Sequence, residues 1–268
     1  MNDNAPMNDT PTLPETSDDP WVRLRAYTAA RIGLSRSGAS LATKPLLDFR
    51  LAHARARDAV HTPLDEAKAT EDLKALELDA LGVPVLSVAS AVARRTDYLV
   101  RPDLGRRLSP AADATLAPFR GAYDIAFVLT DGLSAPAVQA HAAPVLALTV
   151  PLLIEDGWRV APIVVARHGR VAIGDAVANA LNANIVAVLI GERPGLSAPD
   201  SMGAYLTFAP GPQTTDADRN CISNIRPDGI PYGDAAFKLG YLLREMRQRQ
   251  LSGYTLKDDS DRLLLGPR

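Results

Sequence analysis

The stretch Ile125-Ala126-Phe127-Val128-Leu129-Thr130-Asp131-Gly132-Leu133-Ser134 joins a short, mainly apolar run to a polar turn. A run of that length without polar alternation is what a strand buried on both faces requires. A helix-like segment from Pro136 to Leu153 follows, then strand-like runs over Val160 to Ala166, Ile185 to Ile190 and Ala204 to Phe208. Helical spacing returns over Ala172 to Leu181 and in an amphipathic segment from Gly233 to Gln250. Strands alternating with helices predict an open parallel or mixed sheet flanked by helices, a Rossmann-like α/β domain over residues 121–268.

Upstream the pattern is α. Residues 1–19 are rich in Asn, Asp, Pro and Thr and read as a disordered tail. Asp19-Pro20 reads as a cap with proline at the first helical position, and Trp21, Leu24, Tyr27 and Leu34 follow at helical spacing. Ser37-Gly38-Ala39-Ser40 reads as a turn. A second helix is expected from Thr43 to His61, ended by Pro63. A third, acidic on its surface, is expected from Asp65 to Leu81, where Gly82-Val83-Pro84 stops it. Helix and turn continue to Pro118, so residues 20–120 are expected to form a helical N-terminal domain.

The 268 residues suffice for one large domain or two modest ones, and 29 basic against 31 acidic residues leave a formal charge of −2. That balance points to neither nucleic acid nor an anionic membrane. One cysteine excludes an intrachain disulfide and fits a reducing cytosolic setting. The apolar run Ala142 to Ile154 is too short to span a bilayer, and the N-terminus lacks the order of a signal peptide. A cytoplasmic chain is expected.

Candidate chemistry gathers at the strand ends. Gly191 to Ser201 follows an apolar run, and Arg219-Asn220-Cys221-Ile222-Ser223-Asn224-Ile225-Arg226-Pro227 is polar, turn-prone and holds the cysteine. Loops at the carboxyl ends of strands are where α/β domains usually hold ligands. Glu192 is placed to enter such a crevice, or to form a turn-stabilising pair with Arg193. Asp131-Gly132-Leu133-Ser134 reads as a ligand loop or as a structural turn whose Asp131 or Ser134 caps the next helix. It lacks the glycine fingerprint of a dinucleotide fold and the Gly-Lys-Ser/Thr of a phosphate loop. Cys221 or Ser134 with His141 or His168 would make a nucleophilic site, although no Gly-x-Ser-x-Gly elbow is present. Arg50, His53, Arg57 and His61 share one helix face. The two histidines stand about 12 Å apart along the axis, too far to ligate one ion.

Five ordered blocks carry a resemblance: Thr28 to Gly38, Leu51 to His61, Thr130 to Ser134, Gly191 to Ser201, and Arg219 to Pro227. Together they resemble the small (light) subunit of ethanolamine ammonia-lyase, over roughly Trp21 to the C-terminus. The resemblance implies an adenosylcobalamin-dependent lyase that converts ethanolamine to acetaldehyde and ammonia. It implies a large (β/α)₈-barrel subunit as partner, which binds ethanolamine and supplies the catalytic groups. The corrinoid lies between the subunits, so this chain is expected to contribute no catalytic residue and no metal ligand. The family's cobalamin contacts fall on Val171, Glu192 and Cys221 of this sequence. Some members enter a bacterial microcompartment through an amphipathic N-terminal segment. Met1 to Pro20 has no helical apolar stripe for that entry. Two other functions stay open on the residues: a free-standing hydrolase or transferase using Asp131, Ser134 or Cys221, and a non-catalytic scaffold.

Overall fold

Strands buried on both faces dominate the computed structural model, which describes residues 21–28, 30–34, 36–37 and 40–261. In chain order the elements are α1 (Trp21–Arg25), a hairpin of β1 (Arg36–Ser37) and β2 (Ser40–Leu41), and α2 (Thr43–His61). Next come α3 (Glu66–Lys74), β3 (Val85–Ala89), α4 (Arg95–Val100) and α5 (Pro110–Leu116). The alternating half follows: β4 (Tyr123–Thr130), α6 (Ala135–Glu155), β5 (Ile163–Arg167), α7 (Ile173–Leu181) and β6 (Ala183–Gly191). It closes with β7 (Met202–Phe208), β8 (Arg219–Ile225) and α8 (Tyr232–Arg249). The chain divides into two compact units, residues 1–50 and 51–268. In the first, the Arg25 guanidinium at the end of α1 donates to the Ile32 and Gly33 carbonyls, turning the backbone after the helix.

The second unit is built on a six-stranded sheet in the order β3-β5-β4-β6-β7-β8. From β3 to β6 the strands are parallel, and β7 and β8 are added antiparallel. Side chains alternate across the pleat. Phe127, Leu129, Ala187 and Leu189 face α6 and α8, where Val145, Leu146, Leu153 and Leu242 pack on them. Val128, Val186 and Val188 face α7, whose Ile173, Val177 and Leu181 close the opposite core together with Leu116 of α5. Full burial of each such side chain contributes about 1.5–3 kcal/mol. The chain leaves β4 toward one face through α6 and leaves β5 toward the other through α7. Divergent exits of this kind open a crevice at the carboxyl ends of the strands.

The expected α/β class is therefore the observed one, with several corrections. Val85–Ala89, expected to be helix or turn, is a strand paired with Ile163–Arg167. The sheet thus takes an edge strand from the half expected to be helical. Arg219–Ile225, expected to be a turn-prone loop, is the other edge strand. The first helix ends at Arg25, short of Leu34. The third ends at Lys74 and gives way to a 3-10 turn at Leu78–Leu81, with Asp65 capping its start through a bond from Lys68 N–H. The expected tail, the Asp19-Pro20 cap and part of the turn at Ser37 to Ser40 lie outside the described residues.

Helix α6 runs through both Pro144 and Pro151. Each proline frees the carbonyl four residues earlier, that of Ala140 or Ala147. Both of those residues are exposed, so water can replace the lost bonds. At 21 residues, α6 is long and apolar enough to cross a membrane, longer than the run from Ala142 suggested. Its buried residues nevertheless pack on the sheet as those of a core helix.

Candidate functional site

A cavity of about 690 Å³ opens at the carboxyl ends of β4, β5 and β6. One wall holds Gly132 and Leu133 after β4, and another holds Arg170, Val171 and Ala172 before α7. Ile190 to Arg193 close the end of β6, Tyr205 and Ser223 rise from β7 and β8, and Pro102 and Arg106 complete the rim above the buried Tyr98. Bare backbone makes this packing feasible. Leu133 N–H donates to the Gly191 carbonyl at 2.9 Å, with Gly132 at φ +53°. A Cβ on Gly132 would lie 2.3 Å from that carbonyl oxygen, and one on Gly191 would lie 2.0 Å from the Ser134 oxygen. Only glycine fits either position. On the other side, Gly169 N–H donates to Thr130 Oγ1 at 2.9 Å, tying the loop after β5 to the tip of β4.

Beneath the cavity lies a buried polar network. Asp131 is fully buried and accepts from Arg95 Nη1 at 2.8 Å. Burial pushes the Asp131 carboxyl above the usual range, while the Arg95 charge pulls it back. Arg95 also donates to Gly132 O at 2.9 Å and to Val60 O at 3.1 and 2.8 Å. It thereby ties the turn after β4 to the end of α2. Two guanidinium groups lie over the Tyr98 ring, Arg95 4.7 Å and Arg170 4.2 Å from its centre. The Tyr98 hydroxyl donates to Gly169 O at 3.1 Å, and burial raises its pKa. Asp131 and Tyr98 thus brace the loops that carry Leu133 and Val171.

Of the three expected contact residues, Val171 and Glu192 line this cavity together. Cys221 stands beside it on β8, directly opposite Tyr205 in the β7–β8 register. Glu192 follows β6, and its N–H pairs with Ser201 O at 2.9 Å. Its carboxylate is half-buried and accepts from Ser201 Oγ, from Ser223 Oγ at 2.5 Å and from Asn224 N–H at 3.1 Å. Hydroxyls and an amide engage it, rather than Arg193 as the ion-pair reading had it. Cys221 is an exposed residue of this edge strand, yet partial desolvation of its thiol pushes it up, a hydrogen bond with Tyr205 pulls it down, and the Glu192 charge adds to the rise. Arg219 does not activate this thiol. Its guanidinium forms a bidentate pair with Asp175 of α7, both bonds 2.7 Å, and a bond to Thr207 Oγ1 at 2.9 Å. That buried pair fixes β8 against the first turn of α7, and so sets the spacing of two cavity walls.

The nucleophile readings find no supporting geometry. Ser134 Oγ donates to Pro199 O at 2.9 Å and makes no capping bond. His141 is hydrogen-bonded to the Tyr232 hydroxyl at 2.9 Å and to Asp200 O at 3.0 Å, and burial lowers its pKa. Asp131 is locked in its ion pair. On α2, Arg50, His53, Arg57 and His61 are exposed, while Ala52, Ala56 and Ala59 face inward. No cluster of metal-ligating side chains occurs among the described residues. Sequence reasoning missed Arg95, Tyr98, Tyr205 and the role of Ser223, whose partners lie far away along the chain.

Residues 18–257 match the family model described as ethanolamine ammonia-lyase light chain (EutC). A protein of Rhodopseudomonas palustris named ethanolamine ammonia-lyase small subunit is 54% identical over 252 residues, covering 94% of this chain and 93% of that protein. A Xanthomonas campestris protein of the same name is 53% identical over 261 residues, covering 96% and 93%. One from Pseudomonas aeruginosa, also so named, is 48% identical over 259 residues, covering 95% and 93%.

Proposed function

Because this chain belongs to the ethanolamine ammonia-lyase small-subunit family, we propose that its strand-end cavity holds one side of adenosylcobalamin while a large barrel subunit covers the other. The observation that carries this reading is that Val171 and Glu192 line one cavity, with Cys221 beside Tyr205 at its edge. The donor set fits a corrinoid. Val171, Ala172, Leu133 and Ile190 offer apolar surface for a macrocycle, and Glu192 offers carboxylate oxygens for its peripheral amide N–H groups. The cavity is smaller than the whole cofactor, which is what a shared site requires.

Bound adenosylcobalamin supplies the radical chemistry by which ethanolamine becomes acetaldehyde and ammonia. This chain binds, orients and excludes water. Glu192, held by three donors, sets the rotation of the macrocycle. Val171 covers an apolar edge and desolvates it. Cys221, kept protonated, packs against the periphery and offers no thiolate to a metal. Ethanolamine and the catalytic groups belong to the partner.

Deamination assayed with adenosylcobalamin tests this, using this chain, the large subunit, and both co-expressed. Activity in the co-expressed sample alone is expected. Turnover by this chain alone would favour the free-standing enzyme, and full activity from the large subunit alone would favour a scaffold.

A further inference from the structure

We propose that the Glu192–Ser223 corner of the cavity is an acceptor-only subsite: it admits a carboxamide N–H of the ligand, rejects a carboxylate, and uses Ser223 to position Glu192. The inference rests on the corrinoid reading above. An ionised carboxylate has about four lone-pair sites. At Glu192 three of them are taken, by Ser201 Oγ, Ser223 Oγ and Asn224 N–H. The direction of the remaining one is therefore set by the fold. Ser223 lines the cavity, and its single proton is committed to Glu192 Oε1 at 2.5 Å. It presents lone pairs to whatever lies beside it.

A neutral amide brought into this corner finds acceptors for its N–H groups. A carboxylate brings a second negative charge beside a half-buried one, and no proton to share. A corrinoid carries primary carboxamides around its edge, and mild hydrolysis converts one of them to an acid with little change of shape. The corner should separate the two. Arg106, Arg170 and Arg193 line the same cavity, but none of them donates to Glu192.

The test uses the cofactor-free complex with the large subunit, titrated at neutral pH with cyanocobalamin and with each of its monocarboxylic acids, read by visible absorption. At least one acid should bind about tenfold or more weakly than cyanocobalamin. Glu192→Gln, which supplies an N–H at the same place, should narrow that gap. Ser223→Ala should weaken cyanocobalamin binding by about tenfold, and Ser223→Thr, which keeps the hydroxyl, should restore it. Equal binding of every acid, an unchanged gap in Glu192→Gln, or a Ser223→Thr loss as large as that of Ser223→Ala would overturn the proposal while leaving the corrinoid reading intact. A wild-type complex that binds no cyanocobalamin would remove both.

Discussion

Three donors converge on the Glu192 carboxylate and fix its direction before any ligand arrives. Such preorganisation makes a hydrogen bond to a ligand effective, because little side-chain freedom remains to be lost on binding. Glu192→Ala should weaken corrinoid binding by about 1.5–3 kcal/mol, the value of a hydrogen bond to a charged group. Co-purification with the large subunit should be preserved, since one half-buried side chain is a small part of an interface. Unchanged cofactor affinity in an intact complex would take Glu192 out of the site. Cys221 carries a different expectation. Although the residue is exposed, partial desolvation pushes its thiol up, so the reactive thiolate is scarce at neutral pH. Iodoacetamide should therefore modify the folded chain more slowly than the urea-unfolded chain at the same pH. Equal rates would mean an unshifted thiol. Glu192 stood out in the sequence because it follows an apolar, strand-forming run, whereas Val171 and Cys221 were singled out together with it only through the family resemblance. The role of Ser223 was not legible, though it lies in the same block as Cys221, since its bond reaches Glu192, 31 residues away.

Among elements, the parallel strands were the most readable part of the chain. β4 and β6 are buried on both faces, so their sequences are continuous apolar runs. Edge strands escape that rule. β3 is five residues long with mostly half-exposed side chains, and β8 places Arg219, Asn220, Ser223 and Asn224 in a strand whose buried apolar residues are Ile222 and Ile225. Their pairing depends on neighbours brought from elsewhere in the chain, which local pattern does not encode. The bracing of the cavity loops has the same origin, because Arg95 and Asp131 lie 36 residues apart. Arg95→Met should cost about 3–5 kcal/mol, the penalty for leaving a buried charge unpaired, as read from denaturant unfolding. The sign of its pH dependence follows from Asp131. A carboxyl raised in the folded state binds its proton more tightly there than in the unfolded chain. Its contribution is full below the unfolded value of ~3.9 and is lost as pH rises through the folded value. Removing Arg95 leaves the upward push of burial unopposed. The deficit of the variant against wild type should therefore shrink as pH falls from neutral toward acid. A deficit that stayed constant or grew on acidification would mean that Asp131 is not the charge left exposed.

For the molecule as a whole, the decisive property is that the cavity at the carboxyl ends of the strands opens outward. The loops after β4, β5 and β6 supply a floor and walls, while Arg106, Arg193 and Ser223 stand exposed at the rim. A macrocycle resting there keeps one face in water, and the apolar area it buries is correspondingly limited. Affinity from burial scales with area removed from solvent, and it must first offset the lost freedom of association. The isolated chain should thus bind cyanocobalamin weakly, and the complex with the large subunit should bind it about a hundredfold or more tightly, some 2.7 kcal/mol or more. Linkage then demands the reciprocal effect: the corrinoid must strengthen subunit association by the same factor. Equilibrium dialysis gives the first quantity, and sedimentation of the two subunits with and without cyanocobalamin gives the second. Equal affinity in chain and complex would mean that the cavity encloses its ligand unaided. Tighter binding by the complex without any gain in association would contradict linkage at a single shared site, and would place the corrinoid somewhere other than between Glu192 and the partner.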